Sequence, residues 1–269
     1  PADSSQWVRA RSRLRYNQAL LTQVALASHR ADVLASEHAI AWPVPKADSL
    51  RSQIDAHLPF ELTDSQVQVG EQIAQDLNKT VPMQRLLQGD VGAGKTVVAL
   101  RAMAQVVGQG GQCALLAPTE VLAAQHVSSL KRLLSQVGPI NGAQSTKGTQ
   151  GKGAQGAELA ALPGLEVGAA DKVYLLTASM SVPAKRAVLA KLASGESAIV
   201  VGTHALLSDT VQLPGLGLVV IDEQHRFGVA QRNVLRERGS LDPSGAHTTP
   251  HLLVMTATPI PRTVAMTVF

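Results

Sequence analysis

Six short runs of the chain are predominantly apolar and do not alternate: residues 83–87, 113–117, 172–177, 198–201, 216–221 and 252–255. Strands with no polar face belong to a sheet covered on both sides. Between most of them lie stretches whose apolar residues recur at helical spacing, at 95–107, 119–136, 183–194 and 229–238. Strand and helix in alternation predict parallel strands joined by helical crossovers, a doubly wound α/β domain. Its ligands belong outside the carboxyl ends of the strands.

The chain ahead of this pattern is helical. Leu14, Leu20, Leu21, Val24, Leu26, Val33 and Leu34 follow a helical period across residues 8–40, with Arg9, Arg11, Arg13 and Arg15 crowding the start. Those arginines suit a solvated helix face or a DNA-facing element. Pro43 and Pro45 end the pattern. A short helix is expected at 47–57 and another at 63–77, the latter capped by Thr63 or Asp64. Residues 138–170 are rich in glycine and lack a steady period, which predicts a long mobile surface insertion. Lys147 and Lys152 would be its DNA contacts if it has any.

Composition narrows the classes. Hydrophobic residues make up 45% of 269, enough for a sizeable core. Aromatic residues are 3%, which argues against base stacking as the main hold on nucleic acid. The net charge of +4 is compatible with a polyanionic partner. The single cysteine, Cys113, excludes an intrachain disulfide and fits a reducing compartment such as the cytoplasm. It falls in an apolar run, so a buried inert thiol is expected. No apolar run approaches the roughly 20 residues of a membrane span. The start of the chain has no basic-then-apolar signal design and no initiator Met, so an excised fragment is expected.

The chemistry concentrates in Gly89-Asp90-Val91-Gly92-Ala93-Gly94-Lys95-Thr96, a G-x-x-x-x-G-K-T loop between an expected strand and an expected helix. A helix N-terminus presents free N–H groups and a positive dipole end to an anion. Gly89, Gly92 and Gly94 let the backbone curl close to phosphates. Lys95 would reach the β- and γ-phosphates of ATP, and the Thr96 hydroxyl would ligate Mg²⁺. The run 216–221 leads directly into Asp222 and Glu223. Asp222 would hold Mg²⁺, and Glu223 would polarise the attacking water. Earlier, Phe60 and Gln66 flank a helix start. A glutamine amide donates and accepts together, so Gln66 either reads an adenine edge, with Phe60 packed on the base, or caps its own helix.

These blocks together resemble a superfamily 2 helicase. Residues 60–66 look like the adenine-reading Q motif and 89–96 like motif I. Ala117-Pro118-Thr119-Glu120-Val121-Leu122-Ala123-Ala124-Gln125-His126 looks like motif Ia, Gly202-Thr203-His204-Ala205-Leu206-Leu207 like motif Ib, Asp222-Glu223-Gln224-His225 like motif II, and Thr256-Ala257-Thr258-Pro259-Ile260-Pro261-Arg262-Thr263 like motif III. Within the superfamily the wording is most similar to the RecG family of bacterial branched-DNA translocases, over residue 58 to the end. Residues 1–57 resemble more loosely the helical linker that follows the wedge domain of that family.

The resemblance implies a RecA-like first motor lobe over 58–269. It implies partners in stalled forks and Holliday junctions, acted on by ATP-driven translocation in DNA repair and recombination. It places Gln224 and His225 beside the γ-phosphate. It makes Thr256 and Thr258 the coupling between nucleotide and DNA, and gives Pro118, Thr119, Thr203 and His204 to the DNA track. His126 and His204, taken alone, read equally as ordinary surface or capping histidines. Thr177-Ala178-Ser179 stands where the family has Thr-Gly-Ser, which puts a backbone phosphate contact in doubt. The resemblance also implies a wedge and a second lobe, with its arginine finger, outside these residues, so weak nucleotide binding and almost no hydrolysis are expected. The other readings are the corresponding lobe of the transcription-repair coupling translocase and a non-motor phosphate-loop NTPase.

Overall fold

In the computed structural model, residues 4–135, 168–223 and 247–257 are described. Six strands form one sheet: β1 (Gln84–Gln88), β2 (Gln112–Leu116), β3 (Val173–Leu176), β4 (Ala198–Gly202), β5 (Leu216–Asp222) and β6 (His251–Thr256). The order across the sheet is β1-β6-β5-β2-β4-β3, and every pair is parallel. The architecture is α/β and RecA-like.

The apolar runs of β2, β4, β5 and β6 are strands covered on both faces, while the edge strands β1 and β3 are only partly buried. Along β2, Cys113 and Leu115 face one core, while Ala114 and Leu116 face a second. The first core is closed by α2 (Leu50–Ala56), α3 (Asp64–Leu77), α4 (Lys95–Val107) and α5 (Glu120–Leu134). The second takes Leu192 from α6 (Val182–Ala193), together with Leu206, Val211 and Leu213. Thr63 caps α3 in a capping box: its hydroxyl accepts from Gln66 N–H, and Gln66 Oε1 accepts from Thr63 N–H.

Differences from the sequence reading are local. The first helix, α1, runs Ser4–Ser36 and not to residue 40. Beyond it the backbone extends and is used elsewhere: Ala39 N–H donates to Thr80, Trp42 N–H to Leu77, and His38 accepts from Thr249 N–H. Trp42, Leu50 and Ile54 thereby enter the first core. Leu14, Leu20, Leu21 and Val24 from the apolar stripe of α1 are exposed. Arg11 and Arg13 of that helix stack over Trp7 and Tyr16.

The glycine-rich insertion is shorter than expected at its far end. Residues 169–172 form a 3₁₀ turn, and Ala169 is buried, so those residues are part of the packed domain. Residues 136–167, with Lys147 and Lys152, lie outside the described residues, as does the helix expected at 229–238. Cys113 is buried, and burial pushes its thiol well above the usual range. Among the described residues no helix is long and apolar enough to cross a membrane.

Candidate functional site

The parallel register places the chemistry-bearing segments along one edge. Gln88 pairs with Thr256, Asp222 with Met255, Leu116 with both Ile221 and Gly202, and Leu176 with Gly202. The chain therefore leaves the sheet at 89, 117, 177, 203, 223 and 257 on the same carboxyl side. Each exit is one of the blocks singled out from the sequence, spread over more than half of the chain.

The loop 89–94 joins β1 to α4. Gly92 and Gly94 have φ of +84° and +76°, a region that a Cβ makes costly. Gly94 is the N-cap of α4, and a Cβ on it would run into the Gln66 amide. Lys95 Nζ donates to the carbonyls of Gly89 at 2.7 Å and Asp90 at 2.8 Å. The ammonium is thus folded over the loop, on acceptors that phosphate oxygens can replace. Gly89 N–H donates to Thr256 O at 3.3 Å, tying the loop to the end of β6. Thr96 is the second residue of α4, in its first turn. Exposed loop donors, a helix N-terminus and a lysine held on replaceable carbonyls fit a polyphosphate.

Gln66 caps its own helix, one of the two readings posed for it. Besides its cap bond, its Nε2 donates to Ala93 O at 3.0 Å, inside the phosphate loop. Phe60 is half-exposed and lines an open cleft of about 640 Å³ with Leu58, Leu62, Asp55 and Val67, the neighbour of Gln66 in the chain.

Asp222 ends β5, and Glu223 follows with φ of +51°, the left-handed region. Such a conformation costs a non-glycine residue about 1–2 kcal/mol and is found at functional sites. Gln224, His225 and Thr258 lie outside the described residues. Sequence reasoning missed the partner of Asp222. His126 Nε2 lies 2.8 Å from Asp222 Oδ2, with only 13% and 14% of the two side chains exposed. The reading of His126 as an ordinary surface or capping histidine is corrected accordingly. Nothing in the sequence pointed to the pair, because the two residues are 96 positions apart.

Along the same edge, mostly at the ends of β2, β3 and β4, lie the residues assigned to DNA. Thr119 caps α5, its hydroxyl accepting from Leu122 N–H, and Pro118 precedes it half-buried. Thr203 is buried at the start of a 3₁₀ turn, while His204 is exposed. Thr256 is buried, and its backbone carbonyl accepts from Gly89 N–H of the loop. Ala178 and Ser179 N–H both donate to Glu120 Oε1, at 2.9 and 3.2 Å. These bonds, the Ser179 side chain foremost, hold the Glu120 carboxyl below its usual range. The turn that departs from Thr-Gly-Ser therefore keeps its backbone donors, and a carboxylate occupies them.

The comparisons agree with this geometry. A family model for the DEAD/DEAH box helicases matches residues 63–267. The chain is 46% identical over 261 residues to the ATP-dependent DNA helicase RecG of Mycobacterium leprae (strain TN), covering 97% of this chain and 31% of that protein. It is 48% identical to the protein of the same name from Mycobacterium bovis, covering 97% of this chain and 32% of the relative. A solved structure, RecG bound to a three-way DNA junction, superposes with a TM-score of 0.73 at 30% identity over all of this chain and 30% of its own. The chain thus spans about a third of the length of the curated relatives it matches. With the motif blocks leaving one edge of the sheet and a family match over most of its length, the chain belongs to the DEAD/DEAH box helicases.

Proposed function

We propose that this chain is the ATP-binding first motor lobe of a RecG-type DNA helicase, with residues 58–269 as the lobe and 1–57 as a helical linker packed against it from residue 38. The observation that carries the reading is the convergence of the loop 89–96, Asp222, Glu223 and Thr256 at three adjacent strand ends, joined by the Gly89 to Thr256 bond.

Lys95 leaves the Gly89 and Asp90 carbonyls for the β- and γ-phosphates. Thr96 and Asp222 would hold Mg²⁺, which would supply neutralisation of phosphate charge. Glu223 orients and polarises the attacking water. Gln66, beside the Phe60 cleft, recognises the adenine edge. Gln224 and His225 report on the γ-phosphate, and Thr256 with Thr258 passes its presence to the DNA side. Pro118, Thr119, Thr203 and His204 face DNA phosphates, contacts that follow a strand without reading its sequence. The whole protein acts on forks and Holliday junctions in the bacterial cytoplasm, the branched-DNA partner being supported by the RecG–junction structure.

The test is nucleotide binding and steady-state ATP hydrolysis by this chain, with and without a four-way DNA junction, beside Lys95→Ala. Binding of Mg²⁺–ATP that Lys95→Ala removes is expected, with hydrolysis near background. An arginine supplied from a second lobe is typically worth on the order of 10³–10⁵ in rate. Lys95-dependent, DNA-stimulated turnover by this chain alone overturns the half-site reading. Absence of nucleotide binding overturns the lobe assignment itself.

A further inference from the structure

We propose that His126 is the positioning residue of the metal-site carboxylate, fixing Asp222 through a hydrogen bond from Nε2–H to Oδ2. The inference rests on the nucleotide-site reading above and adds a residue to it. A carboxylate only accepts, so the hydrogen of this contact is on the imidazole. The distance is 2.8 Å and both side chains are largely buried, so water competes poorly for the bond. Among the described residues no other side chain bonds to the Asp222 carboxylate. Without His126 no described side chain holds the orientation of the carboxyl group at the end of β5. With it, Oδ2 is held and Oδ1 is left for a cation. Hydrogen bonds of this kind orient metal ligands, and removing them typically weakens metal affinity by about 10–100-fold.

The support behind His126 is rigid. It lies on α5, six residues after Glu120, so about 9 Å further along the helix axis. Glu120 is fastened to the 178–179 turn by two backbone N–H donors. Leu130 and Leu134 of the same helix are fully buried in the first core. The imidazole is therefore presented by an element fixed at its start, by Glu120, and at its far end by packing.

The experiment uses this chain, ADP as the nucleotide and Mn²⁺ as a spectroscopic substitute for Mg²⁺. Mn²⁺ affinity of the ADP complex is read by electron paramagnetic resonance, and ADP affinity in EDTA by calorimetry, for wild type, His126→Ala, His126→Gln and Lys95→Ala. The expected result is a loss of about tenfold or more in Mn²⁺ affinity for His126→Ala, with metal-free ADP affinity unchanged. His126→Gln, whose amide donor has a similar reach, restores Mn²⁺ affinity to within about threefold, where a lost bond costs about tenfold. It also serves as the informative variant if the alanine protein does not fold. Unchanged Mn²⁺ affinity in His126→Ala overturns the proposal, as does an equal fall in both affinities or a failure of glutamine to rescue. If the wild type binds no ADP, or Lys95→Ala binds it equally well, the nucleotide-site reading fails and this proposal fails with it.

Discussion

Replacing Arg101 by methionine separates packing from charge at the joint between the leading segment and the motor fold. Arg101 lies on α4, the helix opened by the phosphate loop, with 5% of its side chain exposed. Its Nε and Nη2 grip Asp55 of α2 at 2.9 and 3.1 Å, and its Nη1 donates to Gln66 O at 3.4 Å. Arg51 of α2 bonds Glu71 of α3, closing a network across three helices. Methionine fills much of the same volume, so the loss is mainly electrostatic. Breaking a fully buried pair from one side costs about 3–5 kcal/mol. Asp55 and Glu71 keep 30% and 51% of their side chains in water, and Arg51 remains within 3.9 Å of Asp55. The orphaned carboxylates therefore recover hydration and a partial partner, which lowers the expected cost to about 2 kcal/mol. At about 2–4 °C per kcal/mol for a domain of this size, the melting temperature falls by about 4–8 °C. Urea unfolding of wild type, Arg101→Met, Asp55→Asn and the double variant isolates the pair, with a coupling energy of about 1–2 kcal/mol expected. A destabilisation below about 0.5 kcal/mol, the range of an ordinary surface substitution, refutes the reasoning. So does strict additivity of the two single changes.

Other expectations follow from the same geometry. Gly94→Ala forces a Cβ onto a φ of +76° and against the Gln66 amide, so nucleotide binding measured by calorimetry is lost while the fold persists. His251 accepts from Met83 N–H at Nδ1 and contacts Ile40 O through Nε2, and burial lowers its pKa below the ordinary 6.5. A histidine kept neutral by the fold stabilises it fully above pH 6.5. That contribution is lost as pH falls from there toward and through the lower folded-state value, because the unfolded chain takes up the proton first. Urea midpoints should decline over that window in wild type and decline less in His251→Gln. Cys113, buried with its thiol pushed up, should resist a thiol reagent in the native protein and react fully in denaturant.

Sequence by itself determined the elements and their kind. The predominantly apolar runs are strands, since only a sheet covered on both faces makes such runs stable, and each lies within about one residue of its expected ends at most boundaries. The cap of α3 and the loop opening α4 were also legible, because both depend on residues within a few positions of each other. Order across the sheet was not. β6, last in sequence among the described strands, inserts between β1 and β5, and so carries Thr256 to the phosphate loop. Contacts between distant residues were equally hidden: His126 on Asp222, Glu120 on the 178–179 turn, and Trp42 in the core. The physical reason is range. Backbone periodicity, capping and glycine conformation are settled by neighbours in the chain. A hydrogen bond between an α5 imidazole and a β5 carboxylate exists only after the crossovers have brought their strand ends side by side.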